Sequence, residues 1–543
     1  MSKKIASSLF NRWLIILLFI FAIFMVFHNS FNYLDPDFGW HYQVGQEIWQ
    51  NRQVPKIEHH LFPIAGQSWV DHEWLSNLTV YVLFELGGYF LVSLLFVGLV
   101  ILAWYLLAKQ TIKYWLDNQA SSLFFWLILF IGLRACLPHF GIRIQEVTVL
   151  FLLILNIWLH RVVRQRYWPI WQIWVIPILF WWWASLHGGF LIGLVALLAW
   201  IVFRLIIYYW ARYRQIKRQI NVLPMKVIGR SILTAVLSII ATCLTPYGLK
   251  LYDFLSDYYS NNAYLWIIEE WLPITRAVWS WRMLYMLVFG LVIVLLIFHW
   301  RARQNKADRQ VINWLINQDW WVLLFSSILF VAAWRSLRHF PLFFIISFPW
   351  VAGFFWQSWQ DRCFNPAHWS IYLKILIVSV LLLSTISMAI ATQWSNRPVE
   401  DYCHSYPCAA INYLKQSPYK NWPTMVDYGW GGFWYWYWPD KPIFIDGRLP
   451  QYSWRNRSLI EHYGRFFNES DIKNALADYD LSVVAIAQPR PVSYNWLESW
   501  LFGWGQKVND YDSFSETMRR AMLKMPAWQL VYSDATAMIY VQQ

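Results

Sequence analysis

The sequence predicts an α-helical polytopic membrane protein with about eleven transmembrane helices, followed by a C-terminal extracytoplasmic α/β domain. Three observations predict it. The chain is 58% hydrophobic and 14% charged, a composition that ordinary soluble domains do not have. Apolar runs of about 17 to 25 residues recur along it, each long enough to cross a hydrocarbon core about 30 Å thick. The basic residues behind its net charge of +13 gather in short loops between those runs, as in "HRVVRQRYW", "ARYRQIKRQI" and "HWRARQNKADR". That is the distribution of cytoplasmic loops and not of a nucleic-acid surface.

In chain order, the apolar runs place helices at 13–30, 78–108, 121–135, 145–160, 169–186, 189–209, 229–246, 281–299, 318–334, 340–357 and 370–392. The first follows Lys3, Lys4 and Arg12 and has no small-residue cleavage pattern after it, so an uncleaved anchor is expected. An odd number of crossings puts the N-terminus in the cytoplasm and the tail outside. The loops assigned outside then carry the acidic clusters. Domain boundaries follow: 1–392 is the membrane domain, with an outer loop at 31–77, and 393–543 is the outer α/β domain. In the tail, "LSVVAIAQ" and "WQLVYSDATAMIYVQ" have strand character, the second as a hairpin around Ser533 and Asp534, and "SDIKNALADYD" has helical character. The segment 247–280, with "YLWIIEEWLP", is expected to lie as short helices at the outer interface. Of five cysteines, Cys403 and Cys408 fall in an outside segment where pairing is chemically open to them. The 41 tryptophans exceed what interfacial belts need and suit stacking on sugars or prenyl chains.

The outer loop opens with "LDPDFGWH". Pro36 lacks an N–H and biases the residue before it away from helix, so Asp35 and Asp37 sit on a turn where the first helix ends. Two carboxylates at this spacing can approach one divalent cation, or one can act as a base while the other orients a partner. His41, Asp71, His72 and Glu73 crowd the same loop and are candidates for binding substrate, but no zinc-type spacing is present. Other loops on the same side carry Arg143, then His187 in "SLHGGF", then Arg335, Arg338 and His339. Ionisable residues at membrane depth are functional candidates by default. The planar fork of arginine suits phosphate, so carboxylates together with an arginine and histidine set point to a phosphorylated lipid as donor.

The loop "LDPDFGWHYQVGQEIWQNRQVPKIEHHLFPIAGQSWVDHEWLSNLTVYVLFELGG" resembles the first outer loop of the glycosyltransferase C superfamily, which includes protein O-mannosyltransferases, aminoarabinose transferases and the catalytic subunit of oligosaccharyltransferase. The likeness continues in "GIRIQEVTVLFLLIL", "SLHGGFLIGL", "TPYGLKLYDF", "RSLRHFPLFFIISFP" and "DYGWGGFWYWYWPDKPIFIDGR". The resemblance implies a polyprenyl-phosphate-linked sugar as donor and a protein, lipid or glycan as acceptor. It implies Asp35 or Asp37 as the catalytic acidic residue and Arg338 as a contact for the lipid phosphate, with Arg143, Arg335 and His339 as further candidates. A divalent cation, Mg²⁺ or Mn²⁺, on Asp35 and Asp37 is compatible with it. The chain has no tryptophan-rich motif of the oligosaccharyltransferase kind; "VDYGWGG" is a loose echo, which argues against sequon N-glycosylation. There is no P-loop, no G-x-G-x-x-G after a strand and no G-x-S-x-G, so no nucleotide cofactor or serine-hydrolase chemistry is expected. The competing expectations are a lipid or sugar transporter or flippase, and a catalytically idle scaffold that binds the same lipid-linked sugar.

Overall fold

The computed structural model describes residues 3–32, 34–116, 123–215, 221–274, 281–302, 317–359, 371–391, 402–403, 405–488 and 514–543. Each of the eleven ranges expected to be helical holds helix: Lys3–Asn32, Trp74–Trp115, which non-helical backbone at Gly87 and Gly88 breaks into two, Leu123–Cys136, Gln145–Gln165, Gln172–Leu186, Phe190–Tyr213, Met225–Thr242, Trp281–Ala302, Trp320–Arg335, Phe340–Trp359 and Ile371–Ala391. By length and composition, six segments among the described residues suffice to cross a membrane, and several shorter apolar helices accompany them. The chain is a multi-pass membrane protein. It divides into two compact units, one of residues 1–33, 92–248 and 270–394, the other of 34–91, 249–269 and 395–543.

The first unit is the helical bundle. Helix Phe340–Trp359 is its innermost element, almost wholly buried. Phe343 and Phe344 pack edge-on against Tyr285, whose hydroxyl meets Ser347 Oγ at 2.9 Å. Gly132 makes room for this core: a Cβ there would lie 1.7 Å from the Phe344 ring. A buried ion pair of Arg204 and Asp319 braces other helices, with Asn221 Oδ1 accepting from Arg204 at 3.3 Å. The sequence reading did not single out this pair.

The second unit combines the outer loop, the 249–269 segment and the tail. Its described residues hold six strands in chain order, β1 Thr424–Val426, β2 Ser453–Trp454, β3 Arg457–Ser458, β4 Val483–Ala487, β5 Trp528–Ser533 and β6 Ala537–Gln542, arranged as a four-stranded sheet β1-β4-β6-β5 and a separate β2-β3 pair. β1 runs parallel to β4, whereas β4–β6 and β5–β6 are antiparallel, so the domain is mixed α/β with the expected hairpin at its end. The core strands β4 and β6 are buried almost end to end, which is why they read as continuous apolar runs. "PIFI" touches this sheet at one point, Phe444 N–H donating to Thr424 O of β1 at 3.1 Å, without forming a strand of it. On its other side Ile443 pairs with Leu61 of the outer loop, through Phe62 N–H to Ile443 O at 3.1 Å and Ile443 N–H to His60 O at 3.0 Å. Cys403 and Cys408 form a disulfide. The segment after residue 247 forms helices Lys250–Ser260 and Tyr264–Ile267.

Candidate active site

In the second unit, the Asp35–Pro36–Asp37 turn is closed by Phe38 N–H donating to Asp35 O at 3.1 Å, and by Asp37 N–H donating to Asp35 Oδ1 at 2.9 Å. Asp37 occupies the N-cap position of helix Phe38–Asn51, yet its side chain makes no capping bond. Its Oδ1 instead accepts from Trp40 Nε1 at 3.0 Å. The helix N-terminus still favours the charged carboxylate through its dipole.

The seat under this turn comes from the tail. Helix Gly431–Tyr437 packs against helix Phe38–Asn51, and glycines make the approach possible. A Cβ on Gly432 would lie 2.2 Å from Pro36 O, and one on Gly39 would lie 2.1 Å from Gly432 O. At Gly447 a Cβ would stand 2.2 Å from Asp37 Oδ1 itself. "DGR" is therefore the floor against which the Asp37 carboxylate rests.

Arg448 holds that floor. Its Nε donates to Asp446 Oδ2 at 2.8 Å, and its terminal nitrogens reach both Glu58 oxygens at 3.1 Å. Trp69 and Tyr435 lie over the guanidinium at 5.0 and 4.9 Å. All three charged residues are buried. Burial pushes the Asp446 carboxyl up, against the pull of Arg448. His60, stacked on Tyr435, is held neutral by burial and by the nearby Arg448 charge.

A second network starts at His41. His41 Nδ1 meets Asn77 Oδ1 at 2.6 Å, and Asn77 Nδ2 donates to both Asp71 oxygens at 3.0 and 2.9 Å. Glu73 N–H also donates to Asp71, at 3.2 Å, and His72 lies 3.4 Å from the Glu73 carboxylate. Burial lowers His41, with Glu73, Asn77 and Asp35 opposing it, which places Asp35 among its electrostatic neighbours. Asp71 is pushed up to about 6 by burial, against the His72 charge and the Asn77 amide. A carboxyl raised in the fold loses its charge as pH falls through about 6, and its contribution to stability is greatest at low pH and is lost as pH rises through that value. We expect the pH–rate profile to show an acid limb near pH 6 that Asp71→Asn removes. A limb left in place by that variant assigns the titration elsewhere.

The first unit carries the cationic candidates. Arg143 donates to Glu270 Oε2 at 2.7 Å, and Arg338 pairs with Oε1 of the same carboxylate. Burial would raise Glu270, but the two guanidiniums hold it below its usual range. Arg338 also lies 4.9 Å over the Trp271 ring. Beside them is buried His139, acted on electrostatically by Arg282, Arg143, Arg338 and His339. Neither of its ring nitrogens has a hydrogen-bond partner among the described residues. Arg335 is exposed at the end of its helix. His187 is held in a local network, its Nδ1 meeting Thr148 Oγ1 at 2.7 Å and accepting from Gly189 N–H at 3.1 Å.

The structure thus joins Asp37 to Gly447, His41 to Asp71, and Arg143 to Arg338. Sequence reasoning missed Glu58, Asn77 and Glu270. Only Glu270 left a signal, as one of two carboxylates inside the apolar "YLWIIEEWLP". The described residues contain no group of three or more His, Cys, Asp or Glu placed to hold a metal ion.

No family model matches the chain, and no curated protein matches its sequence. Among solved structures, it is similar to the Archaeoglobus fulgidus oligosaccharyltransferase AglB in complex with an inhibitory peptide and a dolichol-phosphate, with a TM-score of 0.50 and 10% identity over 88% of this chain and 69% of that one. The apo form of the Archaeoglobus fulgidus oligosaccharyltransferase gives 0.47 and 11% identity over 87% of this chain and 69% of that one. Its complex with Zn and sulfate gives 0.46 and 10% over 87% and 68%. At these identities the likeness concerns the fold alone, which is similar to that of the archaeal oligosaccharyltransferase.

Proposed function

We propose that this chain is a membrane glycosyltransferase that moves a sugar from a polyprenyl-phosphate donor to an acceptor on the outer side of the membrane, with inversion. The N-terminus would lie in the cytoplasm and the second unit outside. The observation that carries the reading is the seating of Asp37: a carboxylate at a helix N-terminus, released from capping and held by Trp40 against Gly447. Such rigid support for one acidic group is what a general base needs. Asp37 takes the proton of an acceptor hydroxyl, whose oxygen attacks C1 of the sugar. The C1–O bond to phosphate breaks, and the phosphate leaves with the electron pair. Asp35 fixes the turn that aims Asp37.

The arginines take the leaving phosphate in this reading. Arg143 and Arg338 already share one carboxylate, Glu270, so their forks are oriented before any donor arrives. His139, buried and with both ring nitrogens unpartnered among the described residues, would supply a further donor. His41, Asp71, His72 and Glu73 would set the acceptor side, and Arg335, His339 and His187 support the donor side. A divalent cation such as Mg²⁺ or Mn²⁺ would be held by Asp35 and Asp37 and would offset charge on the leaving phosphate. The dolichol-phosphate in the AglB complex is the type of ligand this reading assigns to the donor site.

The test is a transfer assay in proteoliposomes, with donor supplied as the lipid extract of the producing cells. Release of free polyprenyl phosphate by the wild type is expected. Movement of donor between leaflets without its cleavage would make the chain a transporter.

A further inference from the structure

We propose that His41 is a second contact for the acceptor, offering the bare Nε2 of its imidazole to a hydroxyl or amide N–H beside the hydroxyl that Asp37 deprotonates. This rests on the transferase reading and adds to it what the acceptor must carry, a second hydrogen-bond donor next to its reacting group.

The orientation of the ring originates at Asp71. This carboxylate is buried, and both its oxygens accept from Asn77 Nδ2, at 3.0 and 2.9 Å. At neutral pH it is above its value of about 6 and ionised, and an ionised carboxylate only accepts. The amide cannot be turned over, because its oxygen would then face two other acceptors. Asn77 Oδ1 therefore points at His41, 2.6 Å from Nδ1. An amide oxygen also only accepts, so Nδ1 carries the proton and Nε2 of the uncharged ring is left with a lone pair. Desolvation favours that uncharged ring against the pull of Glu73 and Asp35. Close packing holds the chain of bonds in place: a Cβ on Gly45 would lie 2.1 Å from Asn77 O.

Nε2 has no hydrogen-bond partner among the described residues, and it is not one of their polar atoms that the packing closes to water. A histidine that only packs has both nitrogens occupied. His462 of the same unit shows this, with Nδ1 meeting Tyr479 Oη and Nε2 meeting Trp454 O, each at 2.6 Å. His41 follows Asp37 by one helical turn, its N–H donating to Asp37 O at 3.2 Å. Side chains four apart share a face, with their Cβ atoms about 5–6 Å from each other. Trp40 links the two, its indole N–H on Asp37 Oδ1 at 3.0 Å and its ring 3.6 Å from the imidazole centre. An acceptor flanked only by carbonyl, carboxylate or phosphate oxygens would set lone pair against lone pair at Nε2 and is disfavoured.

The experiment uses the full-length protein in nanodiscs. Nitrogen NMR of the protein with isotope-labelled histidines, at neutral pH, identifies His41 by the signals missing from His41→Gln. It is expected to show Nδ1 protonated and Nε2 bare; a proton on Nε2 would overturn the proposal. Transfer from the donor lipid extract to the delipidated envelope fraction of the producing cells is then followed against acceptor concentration. His41→Phe keeps a ring against Trp40 and loses both nitrogens. It is expected to raise the half-saturating acceptor concentration by roughly tenfold, the effect of one lost hydrogen bond, with a smaller fall in the saturated rate. His41→Gln, whose amide oxygen reaches the place of Nε2, should recover most of that loss. His59→Gln, changed at an exposed imidazole of the same loop, should match the wild type. Thermal unfolding near that of the wild type shows that each variant is folded. Equal half-saturation in the wild type and His41→Phe, or no recovery in His41→Gln, would overturn the proposal and leave Asp37 in place. No transfer by the wild type would remove the transferase reading and the acceptor contact with it.

Discussion

Replacing Asp37 with asparagine is expected to lower the transfer rate by about 10²–10⁴-fold, the usual contribution of a positioned general base. Affinity for the donor lipid should stay within a factor of two to three (roughly, since the side chain keeps its shape and loses only basicity). Asn keeps an oxygen for the Trp40 Nε1 bond at 3.0 Å, so the turn is not expected to collapse. The control is Gly447→Ala. Its methyl would enter the space 2.2 Å from Asp37 Oδ1 and push the carboxylate off its floor without touching its chemistry. That variant should lose rate with the pH dependence of the wild type. Equal activity of wild type and Asp37→Asn would remove Asp37 from the mechanism.

Arg448→Ala is expected to destabilise the second unit by about 3–5 kcal/mol, the range for breaking a buried ion pair by removing one partner. Asp446 and Glu58 would then share a buried space with no cation between them. Arg448→Lys should rescue little, because a single ammonium cannot reproduce the fork that meets Asp446 with Nε and Glu58 with two further nitrogens. The sign of the pH effect is fixed. Asp446 is already raised by burial, and losing Arg448 raises it further, so the variant regains stability as pH falls and the carboxyls take up protons. Thermal unfolding of the full-length protein between pH 5 and 8 measures this. A variant whose deficit is constant across that range would show that the pair contributes by packing and not by charge.

The helices were legible because an apolar run long enough to span a bilayer is a signal contained within one segment. The Asp35–Pro36–Asp37 turn was legible for a similar reason, since Pro36 acts on its immediate neighbours. The terminal hairpin announced itself through the turn residues Ser533 and Asp534 between two strand-like runs. What could not be read were pairings between distant segments. The bond from Arg448 to Glu58 joins residues 390 apart, and no periodicity carries that information. Within "DGR" the local part is an ion pair between Asp446 and Arg448, two residues apart. Its place under Asp37 became visible only once the outer loop and the tail were seen to fold as one unit. Asn77 looked unremarkable because the bridge it makes from Asp71 to His41 is a property of its surroundings and not of its sequence.

The decisive measurement is mass spectrometry of the lipids that co-purify with the detergent-extracted protein, for the wild type and for Arg338→Ala. A polyprenyl phosphate, with or without its sugar, is expected on the wild type and absent from the variant. Bulk phospholipid alone on the wild type, under conditions where a known polyprenyl-binding protein retains its ligand, would contradict a polyprenyl-phosphate donor.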